Sequence, residues 1–131
     1  MQVEKLKEMY LKYSLTKADV FKHQHFVIIT RSGIEKVMAK EGIDITYEVV
    51  KCEPNFAVVK ATAIKGDKRI ETFGSALKGA NYKDGNTNSW YTMELAEKRA
   101  LSRSTLKMTG LYELGIFGED ESEDFKRKSN V

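Results

Sequence analysis

Residues 88–110 read NSWYTMELAEKRALSRSTLKMTG and contain the strongest helix signal in the chain. Asn88 or Ser89 can cap the first free amides, and the interior contains no Gly, Pro, Val or Ile. Gly110 stands where a left-handed residue commonly ends a helix. The stretch therefore predicts one long helix around which the rest of the chain is organised.

This predicted helix has two faces of different character. A face of mostly small side chains would let the helix axis approach a sheet closely, and it comprises Met93, Ala96, Ala100, Ser104 and Leu111. Beside it, three cations spaced four residues apart form a basic ridge, Arg99, Arg103 and Lys107. Such a ridge is either the solvated side of an amphipathic helix or a surface that faces phosphates.

Three strand candidates precede the helix, between residues 43 and 79. The second, FAVVKATAI (56–64), alternates a larger face with a small one, Ala57, Val59, Ala61 and Ala63. We expect this small face to pack against that of the helix. A Gly66-Asp67 turn leads into the third strand, KRIETFGSALKG (68–79), which returns antiparallel.

The first 42 residues predict two shorter helices, 3–13 and 34–41, and a buried strand, FVIIT (26–30), between them. Thr16 or Asp19 is expected to begin a further helical turn through Val20 and Phe21. The whole order predicts an α+β fold, with an antiparallel three- to four-stranded sheet and helices packed on one face. LYELGIF (111–117) could add a short edge element.

Length and charge indicate a single domain, residues 1–117, followed by a charged tail, 118–131, that we expect to be disordered. Residues 1–110 carry nineteen Lys/Arg against thirteen Asp/Glu, whereas residues 111–131 carry three against six. A basic body with an acidic tail is typical of a protein that binds a polyanion.

Several classes of protein are disfavoured by the composition. One cysteine, Cys52, excludes an internal disulfide, and two histidines, His23 and His25, are too few for a metal motif. The sequence has no nucleotide-binding or hydrolase motif, and Glu94 and Glu97 fit the helix dipole better than a nuclease site. We therefore predict no enzyme, no cofactor, no metal and no membrane span, and a cytoplasmic location.

The longest predicted loop lies between residues 79 and 89 and contains Tyr82 and Lys83, with Trp90 at its far end. It is either an ordinary connection, with Trp90 anchored in the core, or part of a groove for a single strand. In the second case bases would stack on the aromatic rings, and phosphates would meet the lysine and the helix amides.

A helix, three antiparallel strands and a second helix is the order of the double-stranded-RNA-binding-like fold, which also underlies one class of single-strand DNA annealing proteins. Three segments resemble small phage and prophage proteins of the annealing type. They are KYSLTKADVFKHQHFVIITRSGIEKVMAKEGIDITYEVV (12–50), ETFGSALKG (71–79) and YTMELAEKRALSRSTLKMTGLYELGIFGEDESEDF (91–125). The most specific part of the likeness is the final helix with AEKRA and R-x-x-L-K, followed by GLY and an acidic tail.

The resemblance implies ATP-independent binding of single-stranded DNA along a basic groove, by homo-oligomers that are often rings, in the cytoplasm of a bacterial host. Arg99 and Arg103 match basic positions of the helix motif, whereas four cations match only the general expectation of a basic hairpin: Lys60, Lys65, Lys68 and Arg69. The candidate nucleic-acid-binding residues are Lys60, Lys65, Lys68, Arg69, Tyr82, Lys83, Trp90, Arg99, Arg103 and Lys107.

Two other functions remain open at this point. The chain could inhibit or scaffold another protein, as a phage accessory factor without nucleic-acid binding. It could also be a double-stranded-RNA module, although the start of the main helix lacks the run of lysines expected to straddle a major groove.

Overall fold

The computed structural model describes residues 3–23, 26–79, 85–87 and 91–119. The described helices are α1 (Val3–Tyr13), α2 (Arg31–Glu41) and α3 (Thr92–Thr109). The described strands are β1 (Val20–His23), β2 (Phe26–Ile29), β3 (Asp44–Glu53), β4 (Phe56–Lys65), β5 (Lys68–Leu77) and β6 (Ile116–Gly118). This confirms the predicted α+β class.

The strands form two sheets rather than one. Strands β3, β4 and β5 make the predicted antiparallel sheet in that order, which we call the main sheet. The predicted FVIIT strand is β2, but it belongs to a second sheet of order β1-β2-β6, in which β1 pairs antiparallel and β6 parallel to it. The structure thus also confirms the short edge element expected after the main helix.

The expected helical turn through Val20 and Phe21 is wrong, because these residues form strand β1. Val20 lies opposite Ile29 and Phe21 opposite Ile28, so pairing with β2 satisfies their backbone groups and buries Val20. β-branched and aromatic side chains suit such a pleated surface better than a helix. The local helix signal was weak, and a tertiary partner decided the outcome.

Helix α3 lies between two cores. One of its faces packs on β4 and β5 through small side chains: Ala57, Val59, Ala61, Ala76, Ala96 and Ala100. Other α3 residues, Leu101 and Leu106, join a larger core formed with the second sheet, α1 and α2. The prediction that the small faces of helix and strand meet is therefore confirmed. Their backbones approach closely at Gly74, and the Thr72 hydroxyl donates to the carbonyl of Ala100 at 2.9 Å.

We expect Ala100→Leu to lower the free energy of unfolding by about 1–3 kcal/mol, since the added atoms have no space between helix and sheet. Ala100 is fully buried there. Urea denaturation measures the change. Lys98→Leu, at an exposed position of the same helix, is the matched control and should stay within about 0.5 kcal/mol of wild type. An equal loss in both variants would contradict close packing at Ala100.

The two ends of α3 differ in how well they were predicted. Gly110 follows the last helical residue with φ 78°, which confirms the left-handed stop. At the other end, the cap predicted at Asn88 or Ser89 is wrong, because the helix begins at Thr92 and Tyr91 occupies the N-cap position without a side-chain cap. Residues 88–90 themselves lie outside the described residues.

The predicted boundary after residue 117 falls inside a structured element. Gly118 is buried in β6 opposite Ile29, and the Glu119 carboxylate accepts a hydrogen bond from the amide of Arg31 at 3.1 Å. The described fold therefore extends to Glu119. The onset of acidic composition could not show this, because strand pairing depends on a partner distant in sequence. The remainder of the predicted tail, 120–131, lies outside the described residues.

Candidate nucleic-acid interface

Two of the three residues of the basic ridge, Arg99 and Arg103, bind the outer edge of β5. Arg99 is only 3% exposed, and its guanidinium donates to the carbonyls of Ser75 at 2.7 Å and Asn86 at 3.2 Å. Phosphate contact by Arg99 is therefore a wrong prediction. An edge strand presents carbonyl groups that need donors, and a long cation on the helix above reaches them.

Of the other two ridge residues, only Arg103 binds the same edge. Arg103 is partly buried and donates to the carbonyl of Phe73 at 2.9 Å, whereas Lys107 is exposed. Asn86 binds the backbone of Leu77 at the end of the same strand. Its side-chain oxygen accepts from the amide of Leu77 at 2.7 Å, and its backbone amide donates to the Leu77 carbonyl at 2.8 Å. Most of the ridge therefore stabilises the fold.

The hairpin cations separate onto the two faces of the main sheet. Directly opposed residues share a face and successive residues alternate, so Lys60 and Arg69 lie on the face away from α3. Lys65 and Lys68, which pair at the end of the hairpin, lie on the α3 side. The structure does not bring these four cations together into one groove.

Lys65 is bound to a structural carboxylate. Its Nζ lies 3.4 Å from Glu41, which also lies 3.7 Å from Lys12 and accepts a hydrogen bond from the Tyr13 hydroxyl at 3.2 Å. Burial alone would raise the pKa of Glu41, but Lys12, Lys65 and the Tyr13 O–H hold that pKa below its usual value. This cluster joins the hairpin to α1 and α2.

The face of the main sheet away from α3 is uncovered, and no helix among the described residues packs on it. We call the side chains of β4 and β5 on this side the open face: Phe56, Val58, Lys60, Thr62, Ile64, Arg69, Glu71, Phe73, Ser75 and Leu77. Phe73 is 51% exposed, with Ile64 and Leu77 also exposed, and it lies opposite Lys60 on the neighbouring strand. An exposed aromatic ring next to a cation is a combination that single-strand sites use.

Charge on the open face is unevenly distributed. Glu71 lies between two cations, 3.1 Å from Lys60 and 3.0 Å from Arg69, so one positive charge is in excess. Hydrogen bonds from Lys60 and then Arg69 hold the pKa of Glu71 below its ordinary value. On the same side of the sheet, strand β3 contributes three acids, Asp44, Glu48 and Glu53, against one cation, Lys51, which lies 3.6 Å from Glu53. The β4–β5 half is therefore the more favourable half for a polyanion.

Sequence reasoning placed Lys60 and Arg69 in the site but missed Phe73. The sequence did contain part of the signal for an exposed Phe73, because a strand with an all-small face toward the helix must turn its larger face outward. Tyr82, Lys83 and Trp90 lie outside the described residues, and their predicted role stays a prediction. Within the described part of the chain, no three His, Cys, Asp or Glu side chains converge on a metal site.

Comparison of the chain with protein-family models, curated proteins and solved structures gives no match. None of the helices in the described ranges combines the length and hydropathy that crossing a bilayer requires. The class that the structure defines is a small α+β protein whose antiparallel sheet carries a helix on one face and is open on the other.

Proposed function

We propose that this protein binds single-stranded DNA on the open face, without ATP, and acts as an annealing protein of the kind found in phage recombination or replication. The observation that carries the proposal is the exposed Phe73 side chain directly opposite Lys60, with Arg69 further along the same strand, on a sheet face that no helix of the described residues covers. The sequence resemblance to phage annealing proteins supports the same class.

The arrangement suits a strand held mainly by its bases. Stacking on Phe73 uses the flat face of a base and leaves its hydrogen-bonding edge free for a complementary strand. Lys60 and Arg69 would meet phosphates, while the β3 acids would keep the backbone on the β4–β5 half of the face. Because one of the two positive charges is offset by Glu71, we expect a shallow salt dependence.

Fluorescence anisotropy with a labelled single-stranded oligonucleotide over a salt series tests the proposal. Phe73→Ala should weaken binding by about 1–3 kcal/mol with the salt slope retained, because stacking is lost and no charge changes. Arg69→Ala should lower the slope of log affinity against log salt by about 0.7, because one phosphate contact is lost. A matched double-stranded oligonucleotide should bind more weakly, since its bases are already stacked.

Two controls lie away from the open face. Leu11→Ala removes an exposed apolar side chain from α1, and Lys107→Ala removes an exposed cation from α3; neither should change affinity or slope. A lower slope in Lys107→Ala with no effect of Arg69→Ala would move the site to the helix side. Absence of single-strand binding by the wild type at low salt would remove the proposal.

A protein partner is the second candidate function. Ile64 and Leu77 are exposed on the open face, and such aliphatic side chains are more typical of a protein contact than of a nucleic-acid site. In that case the wild type would not bind oligonucleotides of either kind at any salt concentration.

A further inference from the structure

The two edges of the main sheet differ in whether their outward backbone groups are bound. At the β5 edge, Arg99, Arg103 and Asn86 bind the outward backbone groups of residues 73–77. At the other edge, no strand pairs with the outer side of β3 among the described residues. Strand β3 is ten residues long, and an uncovered edge of that length is a template for pairing with another chain.

The side chains of β3 support pairing rather than prevent it. Val49 is 57% exposed and Val50 is 52% exposed at the middle of the strand, and Tyr47 is exposed on the α3 side. Helix α3 packs mainly on β4 and β5, so Val49 and Val50 stay more than half exposed and Tyr47 stays partly exposed. No proline or inward-pointing charge interrupts the strand.

A β-bulge determines which register two copies could adopt. Val49 lies opposite Val59 and Lys51 opposite Val58, so the alternation of β3 shifts by one residue at Val50. As a result Glu48 and Lys51 are on the same face, although they are three residues apart. Tyr47 and Cys52 share the opposite face for the same reason.

We propose that two copies of this chain pair antiparallel through β3, about a twofold axis between residues 49 and 50. In this register Glu48 lies opposite Lys51 of the partner subunit, and Tyr47 lies opposite Cys52 of the partner subunit. The axis generates each pair twice, and opposite charges directly across an antiparallel pair are stabilising. Both copies also keep the same side chains on the same face of the joined sheet.

Pairing of this kind is closed and self-complementary. The same edge is used by both copies, so pairing through β3 ends at a dimer with one six-stranded sheet and does not build the ring that the sequence resemblance implies. The alternative, β3 of one copy on β5 of the next, would have to displace the contacts of Arg99 and Arg103 at the β5 edge. Pairing through β3 does not require nucleic-acid binding.

The test uses charge reversal and mixing, with the dissociation constant measured by sedimentation of the full chain. Glu48→Lys and Lys51→Glu should each weaken dimerisation by at least about tenfold, since both cross-strand pairs become like-charged. An equimolar mixture of the two variants should dimerise to within about threefold of wild type, because every pair is again opposite in charge. Lys68→Glu, a charge reversal away from β3, should dimerise like wild type.

A disulfide test checks the register independently. Opposed residues in antiparallel strands have Cα separations compatible with a disulfide, so Tyr47→Cys should cross-link to the exposed native Cys52 of the other copy under a mild oxidant. Thr46→Cys, on the other face, should not. A wild type that remains monomeric at high concentration overturns the proposal, as does a dimer that is insensitive to both charge reversals. Equal cross-linking of the two cysteine variants also overturns it.

Discussion

Gly74→Ala is expected to destabilise the protein more than any other small substitution on the main sheet, by about 3–5 kcal/mol. A Cβ atom at this position would lie 2.2 Å from the carbonyl oxygen of Ala96 and 2.5 Å from the amide nitrogen of Ala100. Both atoms belong to the backbone of α3, so no side chain can rotate away. The helix would have to move off β5, which would also break the hydrogen bond between Thr72 and Ala100.

Urea and thermal unfolding followed by circular dichroism measure this loss. Gly66→Ala is the matched control, because Gly66 has φ +58° but nothing within 4 Å of its added Cβ. It should lose only about 1–2 kcal/mol, from the left-handed backbone alone. If Gly74→Ala were no more destabilised than Gly66→Ala, helix and strand would not be in backbone contact at Gly74.

Asp19→Ala is expected to have the second largest effect, a loss of about 2–4 kcal/mol. Asp19 is 2% exposed and connects the segment after α1 to helix α2. Its carboxylate accepts hydrogen bonds from the Ser32 hydroxyl, from Lys36 Nζ at 2.7 Å and from the Thr16 amide at 2.9 Å. Removing it leaves these donors without their acceptor. Lys36 is partly exposed and can reach water, which keeps the loss below that of a fully buried ion pair.

The same carboxylate should make stability depend on acid pH. Hydrogen bonds from Lys36 and then Ser32 hold the pKa of Asp19 far below its usual value, against the opposing effect of burial. Around pH 4 and below, the unfolded chain therefore takes up a proton that the folded protein does not. The stabilisation is complete above about pH 5 and is lost progressively as the pH falls toward the folded-state pKa.

Comparison of Asp19→Asn with wild type measures how much the Asp19 carboxylate contributes to this pH dependence of stability. Its free energy of unfolding should decline less steeply than that of wild type between about pH 5 and pH 3, since the group can no longer titrate. Glu41 and Glu71, whose pKa values are also lowered, should leave a smaller slope in the variant. Parallel pH profiles of the two proteins would show that folding does not lower the pKa of Asp19.

The local pattern of the sequence was sufficient for the regular elements of the main sheet and α3. A run without helix breakers that ends at Gly110 specifies α3, and the alternation of Ala57, Val59, Ala61 and Ala63 specifies which side of β4 the helix covers. Both signals are periodic and depend on neighbouring residues only, so they can be read without knowledge of any distant contact.

What only the tertiary structure decided was the partner of each group. Arg99 has the spacing of a phosphate-facing cation, yet it is buried because the β5 edge presents the carbonyl of Ser75 beside it. Ile29 of β2 pairs with Val20 on one side and with Gly118 on the other, and Gly118 lies 89 residues after Ile29 in the chain. Phe73 is exposed because none of the helices and strands in the described ranges covers its face. A charge or an apolar side chain has the same local sequence signal in either environment, and only long-range contacts determine which one it meets.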